Sequence, residues 1–215
     1  MDKRFLKRKR TMTFFIDAAD EIIKEEGINN VTIRKVADKA MYNSATLYNY
    51  FENLDHLILF TAMRYIKDYA FALPKYLKNA DNALDRFIKV WECFCDFAFK
   101  DPEIYYAIFF ADLSNKPEEY IADYYKLFPE QLIEYDGLST MLLKRNIYER
   151  GMTTISECVK EGFIREEDAE TLNEMGTLLF QGILLQVIKG TIDRNTAVER
   201  TMMYIKVTLN SLLIK

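Results

Sequence analysis

The side chains best equipped for chemistry in this chain lie between Val31 and Phe51, and the chemistry they offer is hydrogen bonding. Thr32, Arg34, Asn43, Ser44, Thr46, Tyr48, Asn49 and Tyr50 bring hydroxyl, amide and guanidinium groups into one short span. A guanidinium donates to two acceptors at once, and hydroxyl and amide groups both donate and accept. Equipment for covalent catalysis is poor. His56 is the only histidine, which removes His-based metal triads, Glu-x-x-His di-iron motifs and His-dependent nucleophile triads. No Gly-rich phosphate loop is present. Cys93, Cys95 and Cys158 are odd in number and lack metal-ligand spacing. Two apart on a helix, Cys93 and Cys95 point to different faces, so the three read as buried reduced thiols. No metal, cofactor or catalytic residue is expected.

The elements that must hold this span are short helices. Thr32 can N-cap a helix to about Lys39, with Ile33, Val36, Ala37 and Ala40 inward, and Asn43 can cap a second from Ser44 to Phe51. Two such helices hide little apolar surface alone. A first helix from about Arg10 to Glu26 can cover them through Phe14, Phe15, Ala18, Ala19, Ile22 and Ile23, with Gly27 as its C′ residue. Leu47 and Phe51 form an i, i+4 pair that faces inward. Ser44, Ala45, Thr46, Tyr48, Asn49 and Tyr50 are then left for outer surfaces, the arrangement a major-groove reader requires.

Only 7 glycines and 4 prolines occur in 215 residues, half of them hydrophobic, and strand signals are weak, so the class is all-α. Net charge is −4, yet Lys3, Arg4, Lys7, Arg8, Lys9 and Arg10 stand against Asp2 alone, a basic arm on an acidic body. Asn53 opens a long helix to about Ala72, before Pro74. Further helices follow over about Asn82–Phe99, Asp101–Leu113 (an N-cap, then Pro at N1), Pro117–Leu127, Leu138–Glu161, Glu166–Lys189 and Ala197–Leu213. Thr196-x-x-Glu199 reads as the capping box of the last. The architecture expected is a three-helix head over residues 1–52 and a helical bundle over 53–215, about nine helices in all. No secretory signal is visible. The longest apolar run, Leu178–Ile188, is broken by Gln181 and Gln186 and too short to span a membrane. A cytoplasmic protein is expected.

Ala18-Ala19, Gly27, Thr32, Ala37, Ala40, Thr46-Leu47-Tyr48 and Tyr50-Phe51 stand in the order and spacing of the tetracycline-repressor (TetR) family, and over about 45 residues this chain resembles it. Two positions depart from the pattern. Met41 stands where the family has Gly in the turn, and Leu54 where it commonly has a phosphate-binding Lys. The resemblance implies a helix-turn-helix regulator. Thr46, Tyr48 and Tyr50 would contact phosphates or base edges, with Ser44, Ala45 and Asn49 beside them and Arg34 reaching from the preceding helix. Helix N-termini at Thr32 and Asn43 would offer N–H groups to phosphate. Lys7, Arg8 and Arg10 would add salt-sensitive attraction or enter the minor groove.

A head this small needs a two-fold dimer on a palindromic duplex to reach useful specificity. Leu179, Ile183, Val187, Met202, Ile205 and Leu209 are the expected interface. The body's aromatics, with two methionines, would line a pocket for a bulky apolar effector: Trp91, Phe94, Phe109, Phe110, Tyr125, Met141, Tyr148, Met152 and Phe180. Asp112, Glu134 or Glu149 would select a cation if they lay inside it. Effector binding would displace the long helix and release the operator. An all-α enzyme and a partner-binding protein with a degenerate head are the competing readings; neither predicts a specific DNA site.

Overall fold

A computed structural model describes residues 3–110, 117–129, 141, 144 and 146–214. Ten α-helices run through these: α1 (Lys3–Glu26), α2 (Ile33–Lys39), α3 (Ser44–Tyr48), α4 (Leu54–Leu77), α5 (Ala83–Ala98), α6 (Pro102–Phe109), α7 (Pro117–Leu127), α8 (Ile147–Lys160), α9 (Glu166–Ile188) and α10 (Arg194–Leu212). Among the described residues there is no strand beyond one isolated bridge, Ile164 to Leu213.

Local chemistry accounts for most helix ends. The side chains of Asn82 and Asn146 accept from the backbone N–H of Asp85 and Tyr148 to open α5 and α8, and Gly162 takes φ 78° after α8. Four expectations are corrected. The basic segment is not a loose arm but the first turns of α1, which starts at Lys3 rather than Arg10. Helix α4 continues through Pro74 to Leu77. Asn146 is extended and caps α8 at Ile147, so no single helix runs from Leu138 to Glu161. The cap of α10 is Asp193, which accepts from both the N–H and the hydroxyl of Thr196, so Thr196 sits inside the first turn.

The chain packs as two units: Met1–Arg64 with Asp112–Gln131, and Tyr65–Ala111 with Leu132–Lys215. The packing boundary therefore falls inside α4, not at residue 52, and α7 goes with the head. The reason is aromatic. His56 stacks on Tyr120 at 4.0 Å and Phe60 meets Tyr124 edge-on at 5.3 Å, while Phe15 and Phe51 close the core over Leu47. In the second unit, α9 packs against α6, α8 and α10, and α5 against α8 and α10. Phe180, wholly buried, stands within 6 Å of Trp91, Phe94 and Phe99.

Candidate nucleic-acid interface

Helices α2 and α3 form a pair joined by a left-handed turn. Thr32 Oγ1 accepts from the Lys35 N–H at 3.2 Å, and Asn43 Oδ1 accepts from the Thr46 N–H at 2.7 Å. The two caps thus consume N–H groups that were expected to face phosphate. Between them Met41 holds φ 62°, the geometry that the usual Gly would take without strain. The Tyr42 N–H closes onto Ala37 O at 2.9 Å. The Met41 side chain is 92 % exposed, so no packing offsets the roughly 1–2 kcal/mol cost of a left-handed non-Gly residue.

The expected reading residues are outside the core. Thr32, Arg34, Asn43, Ala45, Tyr48 and Asn49 are exposed, and Ser44, Thr46 and Tyr50 are half-buried. The Arg34 side chain is 90 % exposed, with only a long 3.8 Å approach to Asp38. Such a pair yields readily to a stronger acceptor. Helix α3 is shorter than expected, ending at Tyr48, with Asn49 and Tyr50 in the turn that follows. Tyr42, passed over in the sequence because it reads as turn filler, is also exposed, its ring 5.1 Å from Phe15.

The charge around this surface is selective. Lys35 pairs with Glu26 at 2.6 Å, and Lys39 with Glu25 at 2.7 Å and Glu21 at 3.3 Å. These bridges tie α2 to α1, and the two glutamates raise the Lys39 pKa. Lys7, Arg8 and Arg10 are exposed on α1. The Arg8 guanidinium lies 5.7 Å over the Tyr50 ring, which links the basic turns to the end of the reading pair.

In the second unit a small cavity, about 40 Å³, is lined by Tyr69, Trp91, Phe94, Met141, Ile147, Arg150, Gly151, Thr154, Asn173 and Thr177, with Val90. Of the expected pocket residues, Trp91, Phe94 and Met141 line it. Phe109, Phe110, Tyr148, Met152 and Phe180 do not, and Tyr125 belongs to the other unit. Phe180 fills the aromatic core, and Tyr148 is 39 % exposed. The polar lining was missed, although Ile147, Arg150, Thr154, Ile155 and Cys158 follow one inward stripe on which an arginine is conspicuous. Arg150 is buried, donates from Nε to Lys144 O and lies 4.9 Å over the Phe109 ring. Glu149 is exposed and pairs with Lys144 at 2.9 Å; Asp112 and Glu134 lie outside the described residues. Burial pushes the Cys93 thiol up to about 12 and the Cys158 thiol to about 11, and all three cysteines are free and buried. No group of metal-ligating side chains occurs among the described residues.

The expected dimer residues divide. Ile183, Met202, Ile205 and Leu209 are buried within the chain, so their side chains are corrected to core; Leu179 and Val187 are half-buried. On the same two helices Met175, Leu178, Met203, Tyr204 and Val207 stand exposed instead.

Comparison with known proteins agrees with the geometry. Residues 15–59 match the model of the bacterial regulatory proteins of the tetR family. The chain is 26 % identical over 188 residues to YobS of Bacillus subtilis strain 168, an HTH-type transcriptional regulator, covering 81 % of this chain and 93 % of that one. A TetR-family regulator from Syntrophomonas wolfei superposes with TM-score 0.65 at 15 % identity, covering 96 % of this chain and 98 % of that one. Thermus thermophilus FadR, a TetR-family repressor solved with lauroyl-CoA, gives TM-score 0.61 at 12 % identity, covering 95 % and 96 %. Among the described residues no helix is long and apolar enough to cross a membrane. The exposed helix pair, the all-helical fold and these matches agree: residues 15–59 match the DNA-binding region of the tetR family of bacterial regulatory proteins, and the chain as a whole is similar to HTH-type transcriptional regulators and shares the fold of TetR-family regulators.

Proposed function

We propose that the chain acts in the cytoplasm as a homodimeric repressor that leaves a palindromic operator when a small molecule enters the second unit. The observation that carries the DNA half is the exposure of Arg34, Tyr48 and Asn49 on a capped helix pair whose apolar residues, Val36, Ala37 and Leu47, are buried. Arg34 reads a guanine edge or grips a phosphate. Thr46, Tyr48, Asn49 and Tyr50 contact the duplex with Thr32, Asn43, Ser44 and Ala45 beside them, and Lys7, Arg8 and Arg10 add backbone attraction.

The dimer forms through the exposed apolar faces of α9 and α10, with Leu178, Met203 and Val207 at its centre. Gly182 has open space where a Cβ would stand, which favours close helix approach there. The effector occupies the cavity beside Trp91 and Phe94, enlarging it, since drug-sized ligands need roughly 300–1,000 Å³. Arg150, Asn173 and Thr177 orient its polar groups. Solved neighbours of this fold hold resorcinol in RolR and lauroyl-CoA in FadR, both with an apolar body and polar groups. Because α4 contributes to both units, displacement of its C-terminal half reaches the head along one helix, and the two readers lose the roughly 34–36 Å spacing that one turn of DNA requires.

Selection of bound duplexes from a random pool tests the reading. A two-fold symmetric site is expected, with Arg34→Ala relaxing preference at one base pair in each half. A pool that yields no enriched sequence at moderate salt rejects it.

A further inference from the structure

We propose that the head carries a second ligand site of its own, a cavity between α1, α4 and α7 that takes a small amphipathic carboxylate. The cavity, about 260 Å³, lies wholly within the first unit. It falls just under the roughly 300–1,000 Å³ of drug-sized sites, so its occupant is small. Phe5 and Met12 from α1, Phe60 from α4 and Leu127 from α7 give it apolar walls. Arg8 and Lys126 bring cations, and Asp123 is held by Lys126 at 2.9 Å.

His56 completes the wall and supplies a polar anchor. Its Nδ1 accepts from the Glu52 N–H at 3.2 Å, which puts the proton of the neutral ring on Nε2. Burial keeps the ring neutral, with the pKa pushed down to about 4. Stacking on Tyr120 and edge contacts from Phe51 and Phe60 fix its plane. Nε2 is buried and finds no hydrogen-bond acceptor among the described residues. A carboxylate at this wall accepts from Nε2 and pairs with Arg8, while its apolar body lies against Phe5, Met12, Phe60 and Leu127. Lys126 and Asp123 neutralise each other, which leaves Arg8 as the net charge of the lining: amines meet its repulsion and neutral alcohols forgo its attraction. The same Arg8 lies over Tyr50. Occupancy therefore neutralises one cation beside the reading pair and lowers the salt slope of DNA binding by about one phosphate contact.

The test uses the full chain without DNA and 1-naphthoate as probe. His56 and Trp91 are the only histidine and the only tryptophan, so imidazole NMR reports on the head and tryptophan emission on the body. A saturable shift of the His56 Nε2 resonance with unchanged Trp91 emission is expected. Affinity should fall at least tenfold in the exposed double variant Arg8→Gln/Lys126→Gln, and 1-naphthalenemethanol should bind at least tenfold more weakly. The site is rejected if 1-naphthoate leaves His56 unmoved, moves only Trp91, binds the folded double variant as it binds the wild type, or binds no better than the alcohol. Failure here leaves the DNA reading intact, because duplex selection does not involve the probe.

Discussion

Asn43 Oδ1 accepts two hydrogen bonds from Thr46, one from the backbone N–H at 2.7 Å and one from Oγ1 at 2.9 Å. One amide therefore starts α3 and fixes the orientation of a hydroxyl at the reading surface. Asn43→Ala removes both bonds and should cost about 1 kcal/mol in urea unfolding. Asn43→Asp, which keeps an acceptor, should restore stability but weaken operator binding, since it sets a negative charge against phosphate. Equal stability in the alanine variant and the wild type would exclude the cap.

Met41 is the reverse case, a residue whose backbone is strained and whose side chain touches little. Met41→Gly should raise stability by about 0.5–1 kcal/mol, the left-handed strain relieved less the extra entropy of an unfolded glycine. Thermal unfolding measures this. A lower melting temperature would mean that the exposed methionine makes contacts that the free chain does not show.

His56 makes the stability of the head depend on pH. Its folded pKa is depressed, so the unfolded chain binds the extra proton first, and stability rises with pH between about 4 and 6.5. The contribution is complete above pH 6.5 and is lost as pH falls toward 4, amounting to roughly 3 kcal/mol. His56→Gln, which can still accept from the Glu52 N–H but does not titrate, should flatten this part of the stability profile. Parallel profiles for the two proteins would sink the assignment.

Gly151 and Asn173 form one unit beside the body cavity. A Cβ at Gly151 would stand 2.0 Å from Asn173 Oδ1, while Asn173 Nδ2 donates to Tyr148 O at 2.7 Å. Gly151→Ala must displace the asparagine, leaving a buried amide and carbonyl unpaired at about 1–3 kcal/mol. In the Asn173→Ala background the same substitution should cost little, because the obstructing oxygen is gone. Additive effects in that cycle would contradict the contact.

Local signals were legible and orientation was not. Thr32 and Asn43 announce helix starts because a short polar side chain bonds its own backbone within three residues, and the structure places both caps where the spacing predicts. The basic segment was misread because six cations look like a solvated tail. What makes it helix is continuity with α1 and contacts made far along the chain, such as Lys9 over Phe128 at 4.9 Å. In α9 and α10 apolar residues occupy most of the circumference, so periodicity could not separate the buried Ile183, Ile205 and Leu209 from the exposed Leu178 and Val207. The pocket was sought by aromatic content, yet most aromatics pack on one another. Arg150, Asn173 and Thr177, polar groups on inward stripes, mark the cavity better.

Helix α7 is encoded well after the reader, yet it seals it: Tyr120 and Tyr124 cover His56 and Phe60. The polypeptide thus visits the head twice, leaving after Arg64 and returning at Asp112. A transplant of the reader onto another sensor by simple truncation would expose those rings and precipitate. A graft that carries the α7 segment on a tether should stay folded, so the unit that folds with this reader is discontinuous in its gene.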